Sequence, residues 1–332
     1  MAKSLLIGFF SALKWLLCLV GVAALLLTAL VATPLKSPPE LRSLSEARKT
    51  VDFSNLPDVE RFSARDGTVL GFRHYPATGP ATSRGAIVIH GSSGSSGGSI
   101  HALSEALAAR GVETWAIDIR GHGTSGTRGD IGYVGQLEDD LTDFVAVVRK
   151  RAPTLPLTLI GHSAGGGFAL RVAGSPIQNL FARTVLLSPY LGYDAPSSRE
   201  NAGGWASPDI PRFLGLSVLR RLGIVCCESL PTIAFAVPSN SGAILASTYS
   251  YRLMRNFGTT QNYRTDLAAA TRPVALFAGA ADELMFPDKY QDAVGPNVPV
   301  RLLEGVNHMD IVSDPATASI IAEDMMKAGG GS

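Results

Sequence analysis

The sequence predicts an α/β protein: a mostly parallel sheet with helices on both faces. Three observations predict it. Short apolar runs recur at residues 86–90, 155–160, 184–187 and 274–278, the pattern of strands buried on both faces. Helical stretches fall between several of them, at 101–110 and 137–151, and alternating strands and helices form parallel sheets. Finally, 46% of the 332 residues are hydrophobic and only 17% are charged, so the chain has a large core to bury.

Composition also excludes classes. Low charge with high apolar content is the reverse of a disordered chain. Twenty-nine basic against 28 acidic residues give a net charge of +1, which offers no electrostatic footprint for nucleic acid. Three cysteines do not make a disulfide framework.

Taken in order, the chain begins with an apolar run. From Leu5 to Ala32 the one charged residue is Lys14. About 20 apolar residues cross a bilayer, and Lys14 stands near enough to one end to snorkel. Pro34, Pro38 and Pro39 then stop the helix. Residues 1–34 are therefore expected to form a single-pass membrane anchor. The alternative is a cleaved signal and a secreted protein. Against it, cleavage after Ala32 would put the bulky Leu30 at the −3 position. Lys3 favours one orientation, and Lys36, Arg42, Arg48 and Lys49 weaken that bias.

Residues 35–58 read as a linker. Residues 61–75, with Asp66–Gly67 at the turn, read as a hairpin. The run 86–90 is a buried strand, and 101–110 is a helix ending at Gly111. Residues 112–119 form another strand. The helix at 137–151 starts with Glu138, Asp139 and Asp140 and ends with Arg149, Lys150 and Arg151, in the order the helix dipole favours. Strands follow at 155–160, 184–187, 274–278 and 300–303, and a last helix at 317–327. The interval 190–265 breaks this rhythm. It has helical character at 212–222 and 241–255 and reads as a helical insertion, a lid over the strand ends where ligands of open α/β sheets bind. The expected core is thus 59–189 with 266–327, and 328–332 is a flexible tail.

Gly161–His162–Ser163–Ala164–Gly165 is a G-x-S-x-G sequence between a strand and a helix, the context in which it works as a nucleophile elbow. A serine nucleophile needs a base, and the base an orienting acid, in the chain order Ser, acid, His. His308 is the one histidine after Ser163, which makes it the base. Asp282, in the turn after the strand at 274–278, is the expected acid; Glu283 and Asp288 are its rivals. Oxyanion donors are expected from the backbone N–H groups of Ala164 and Ser92, the latter in the glycine- and serine-rich loop His90–Gly98. That loop lacks the phosphate-binding G-x-x-x-x-G-K-[ST] pattern, and no histidine pair has metalloprotease H-E-x-x-H spacing. No metal and no cofactor are expected.

These motifs give the chain its resemblance to an α/β-hydrolase of the monoacylglycerol lipase and lysophospholipase branch, over residues 59–326. They are His90–Gly91, the Asp118–Ser125 stretch (DIRGHGTS), Gly161–Gly166, Gly279 with Asp282, and Asn307–His308. The resemblance implies an eight-stranded sheet. It also implies structural roles for Arg120 and His122, and supporting hydrogen bonds from His90 and His162. His74 and His101 are read as solvated or packing residues. Cys226 and Cys227 are read as packed thiols in the lid.

The expected function is a serine hydrolase that forms an acyl-enzyme on Ser163 from a lipid-like ester, such as a monoacylglycerol or lysophospholipid. One alternative is a peptidase or amidase of the same fold, proline iminopeptidase-like, with Glu200, Asp209 or Glu228 holding the substrate's amino terminus. Another is a non-catalytic protein that kept the fold.

Overall fold

A computed structural model describes residues 2–41, 52–80, 83–238 and 245–327. The expected tail at 328–332 and the linker basic residues Arg42, Arg48 and Lys49 lie outside the described residues.

Helix α1 (Ala2–Val31) carries an apolar span of 25 residues, Ile7–Val31, none of it buried in the protein. At 1.5 Å per residue that span is about 37 Å long, enough for a hydrocarbon core of about 30 Å. The central sheet contains β1 (Glu60–Ser63), β2 (Val69–Tyr75), β3 (Arg84–Ile89), β4 (Val112–Ile117), β5 (Leu157–His162), β6 (Arg183–Leu187), β10 (Val274–Gly279) and β11 (Val300–Leu303). Its order is β1-β2-β4-β3-β5-β6-β10-β11. The first two pairings are antiparallel and the remaining five parallel. Strands β3 and β5 are buried along nearly their whole length, because α2 (His101–Ala109) and α10 (Pro315–Lys327) cover one face while α3 (Gln136–Arg151) and α4 (Ala164–Ala173) cover the other. The element boundaries fall within about two residues of those read from the sequence.

The segment between β6 and β10 differs from its expected helical form. It holds a small antiparallel sheet, β7 (Ala206–Pro208), β8 (Pro231–Phe235) and β9 (Thr248–Ser250), with α5 (Ile210–Arg221), α6 (Tyr251–Asn256) and α7 (Tyr263–Ala269). Of the stretch expected to be helical at 241–255, residues 241–244 lie outside the described residues, and helix begins only at Tyr251. Thr248 and Tyr249 pair with β8 instead, as β-branched and aromatic residues do on a half-buried sheet. Ser250 then caps α6, its Oγ accepting from Leu253 N–H. Phe235, Tyr249, Leu253 and Phe257 join the main core, so this segment is packed into the body of the protein. The vicinal thiols also depart from expectation. Cys226 is exposed and Cys227 half-buried, both free, with sulfurs 2.9 Å apart.

Packing at the β5–α4 turn leaves no room for side chains. A Cβ on Gly161 would lie 2.1 Å from the Gly165 carbonyl oxygen, and one on Gly165 2.3 Å from the His90 carbonyl oxygen. Gly161→Ala is therefore expected to destabilise the fold by about 3 kcal/mol or more, the scale of severe core clashes. Denaturant unfolding in detergent checks it; a midpoint within experimental error of the parent would contradict this account.

Candidate active site

The turn from β5 to α4 carries Ser163 at φ 54°, ψ −119°, a conformation that costs a side-chain-bearing residue of order 1–3 kcal/mol. Three backbone hydrogen bonds hold it. Ser163 N–H donates to Leu187 O at 2.9 Å, and Ser163 O accepts from Gly167 and Tyr190 N–H, both at 3.0 Å. The side chain stands at the N-terminus of α4, where the first N–H groups lack intrahelical partners. Ala164 N–H is one of these.

Strands β10 and β11 run parallel with Gly279 opposite Leu303, so the loops after them meet. Asp282 and His308, 26 positions apart, are both 2% exposed and hydrogen-bonded: His308 Nδ1–H donates to Asp282 Oδ2 at 2.8 Å and approaches Oδ1 at 3.0 Å. Oδ1 also accepts from the Leu284 and Met285 amides. Burial pushes the Asp282 carboxyl up, but the His308 ring and these donors outweigh it and hold its pKa below the ordinary carboxylate value. Asp282 is thus the anion facing His308.

The two rival acids are elsewhere. Glu283 Oε2 accepts from the His308 backbone N–H at 3.1 Å, and Asp288 is exposed beside Lys289. On the other side, His162 Nε2–H donates to the His308 carbonyl at 3.0 Å. His308 is therefore held at its ring, its N–H and its carbonyl. Ser163 and His308 line the same cleft, without a hydrogen bond between Oγ and the ring; such contacts commonly tighten only when substrate binds.

The loop after β3 completes the cleft. A Cβ on Gly91 would come within 3.1 Å of Ser163 Cβ, so loop and serine are in contact. Ser92 lines the cleft, and its Oγ accepts from Trp205 Nε1–H at 2.7 Å. Its backbone N–H has no acceptor among the described residues. Ser93, at φ 62°, is tied down by a relay: Ser93 N–H donates to Tyr249 Oη at 2.7 Å, and Tyr249 donates on to His122 Nε2. Ser93 Oγ also donates to Ala246 O. His122 thus supports the loop through Tyr249. His90 donates from Nδ1 to Gly91 O and accepts at Nε2 from Ile119 N–H. Arg120 is buried between Asp66 and Asp140. His101 is buried beside Tyr75, and half-buried His74 stacks on Trp115.

The cleft occupies about 740 Å³, its open mouth included. Its walls combine glycine and serine of the loop after β3 with the apolar residues Leu41, Trp205, Ala236, Pro238, Leu245, Leu284 and Met309. None of the described residues lining it is a carboxylate. Asp209 instead caps α5 and accepts from Thr33, Glu228 pairs with Arg220, and Glu200 is exposed. Tyr249, Trp205 and Leu41 carried no motif that would have marked them. They reach the site through tertiary packing.

A strand–Ser–helix turn, an Asp and a His on the loops after the last two parallel strands, and this sheet order define an α/β-hydrolase. Residues 81–309 match the family described as serine aminopeptidase, S33, and the chain belongs to that family. It is also similar to the monoacylglycerol lipase of Mycolicibacterium smegmatis, at 30% identity over 34% of this chain and 40% of that protein. The human monoglyceride lipase is 30% identical over 46% of this chain and 48% of its own length. The chain thus spans less than half the length of these curated relatives. Among solved structures, a soluble variant of the Saccharomyces cerevisiae monoglyceride lipase superposes with a TM-score of 0.59 at 15% identity, covering 83% of this chain and 95% of that one. A lipase in its open form gives 0.60 at 18% identity, covering 81% and 97%. At such identities these two likenesses speak for the fold.

The buried histidines set a pH dependence. Burial lowers the pKa of His90, and of His122 still further; burial, with His308 adding to it, lowers His162 to about 3. In the interval between its folded and unfolded pKa each is neutral in the folded chain, whereas in the unfolded chain each takes a proton as pH falls below about 6.5. Their contribution to stability is complete above that pH and lost on acidification, by about 1.4 kcal/mol per pH unit for each proton. His162→Asn is expected to make the fall below pH 6 shallower by about one proton's worth. Urea unfolding across pH measures it, and an unchanged slope would refute the assignment.

Proposed function

We propose that the protein is a serine hydrolase of lipid-like carboxylic esters, held at a membrane by a retained N-terminal helix. The observation that carries the reading is a strained Ser163 sharing one apolar-walled cleft with His308, whose ring is bound to an ionised Asp282. In this reading His308 Nε2 takes the Ser163 Oγ proton as Oγ attacks the ester carbonyl carbon. The N–H groups of Ser92 and Ala164 stabilise the oxyanion, and Asp282 stabilises the imidazolium. Collapse breaks the carbon–oxygen bond to the alcohol, which leaves with the proton from His308. Water, deprotonated by His308, then releases the acid and restores Ser163.

The lipase names of the curated relatives and the apolar residues on the cleft wall favour a lipid ester, a monoacylglycerol or lysophospholipid. A peptidase needs an acid for the substrate's amino terminus, and Glu200, Asp209 and Glu228 are all outside the cleft lining.

Retention of the helix has a physical argument. Thr33 Oγ1 donates to the Asp209 carboxylate at 2.8 Å, and Arg212 donates to the Val31 and Thr33 carbonyls. Cleavage after Ala32 would keep Thr33 but take away the Val31 carbonyl that accepts from Arg212, whose partner Asp209 is 8% exposed, and loss of an acceptor at a largely buried charged donor is costly. Beside this contact, Ile210, Leu214, Val218 and Leu222 form an exposed stripe at four-residue spacing on and just past α5, suited to lipid.

Ser163→Ala is expected to cut kcat on p-nitrophenyl esters by at least ~10³-fold and to abolish fluorophosphonate labelling; retained turnover would sink the mechanism. Asp282→Asn should lower kcat by about 10²–10⁴-fold with little change in KM. For the anchor, intact-mass analysis of the membrane fraction should find residues 1–32 present, and a mature chain starting near Thr33 would overturn retention.

A further inference from the structure

The region that matches the family begins at residue 81, yet a residue forty positions earlier lines the cleft. Leu41 is partly buried against the main core and shares the cleft with Ser163, His308, Trp205 and Leu284. Its Cδ2 stands 3.9 Å from where a Cβ on Gly204 would sit.

Leu41 does not reach this place as a loose end. The chain is fixed eight residues upstream by the Thr33, Asp209 and Arg212 hydrogen bonds. Gly215 on α5 allows α1 to lie close: a Cβ there would meet Val31 Cγ2 at 3.0 Å and Leu30 Cβ at 3.1 Å. Between clamp and cleft run Pro34, Pro38 and Pro39, whose fixed φ lowers the entropy lost on ordering the segment. A segment pinned at one end, stiffened along its length and packed into the cleft at the other is built as a wall.

We propose that residues 33–41 are a strap that completes the substrate site, and that Leu41 is a specificity residue contacting the distal part of a long acyl chain. This rests on the ester-hydrolase reading above. The strap links the membrane helix directly to the cleft, and in this proposal the distal carbons of a long acyl chain meet Leu41 on the cleft wall. On this proposal a two-carbon acyl group stops short of Leu41, whereas a twelve-carbon one reaches it.

The test uses the full chain in lipid nanodiscs, with p-nitrophenyl acetate and p-nitrophenyl dodecanoate. Leu41→Trp is expected to lower kcat/KM for the dodecanoate at least tenfold and to change the acetate less than twofold. Leu41→Ala should lower the dodecanoate value severalfold, mainly through KM, again sparing the acetate. If Leu41→Trp loses both activities through misfolding, Leu41→Ala carries the comparison. Parallel changes on both esters, or no change on either, would overturn the proposal. Should the parent hydrolyse neither ester, the hydrolase reading fails, and the strap is judged by calorimetric binding of a non-hydrolysable dodecyl glyceryl ether. At least tenfold weaker binding in Leu41→Trp, or severalfold in Leu41→Ala, supports it, and unchanged affinity overturns it.

Discussion

One residue with a side chain is held at positive φ between a strand and a helix, and the rest of the site depends on that strain being maintained. Ser163 adopts its angles because the backbone on both sides leaves it no alternative. Leu187 on β6 accepts its N–H, and Gly167 and Tyr190 donate to its carbonyl. Gly161 and Gly165 let the turn close against its own backbone and that of β3. Strain of order 1–3 kcal/mol is sustainable because the surrounding strands are fully buried and hydrogen-bonded. The consequence is a hydroxyl presented at the end of α4, facing a cleft.

The same sheet brings the other partners. Parallel neighbours end on the same edge, so the loops after β3, β5, β10 and β11 converge there. His308 is then fixed from three sides, by Asp282 at the ring, Glu283 at the N–H and His162 at the carbonyl. Two of these constraints come from the loop after β10 and the third from the end of β5, so the orientation of the ring reports how the strands of this edge pack. Buried neutral histidines connect these loops at a cost that appears only when acid would charge them.

The segment between β6 and β10 ties the edge to the N-terminus. Tyr249 and Trp205 hold the loop at Ser92 and Ser93, while Asp209 and Arg212 hold the end of α1. One small antiparallel sheet with its helices therefore touches the oxyanion loop, the cleft wall and the apolar helix together. Its strands were not legible in the sequence. They are short and half-buried, and their periodicity is interrupted by the Ser250 cap, so local pattern favoured helix across 241–255.

By itself the sequence determined the alternating architecture, the candidates Ser163, Asp282 and His308, and the apolar N-terminal helix. Each is encoded locally: buried strands are continuous apolar runs, the elbow needs small residues around one serine, and a spanning helix needs length without charge. Only the tertiary structure showed which of the adjacent Asp282 and Glu283 hydrogen-bonds the His308 ring, because that depends on which carboxylate the loop turns toward a ring 26 positions away. It also placed Leu41, Trp205 and Tyr249 at the site. Their contacts join segments tens to more than a hundred residues apart, and no local pattern of residue types encodes a pairing made only when distant strands close into one sheet.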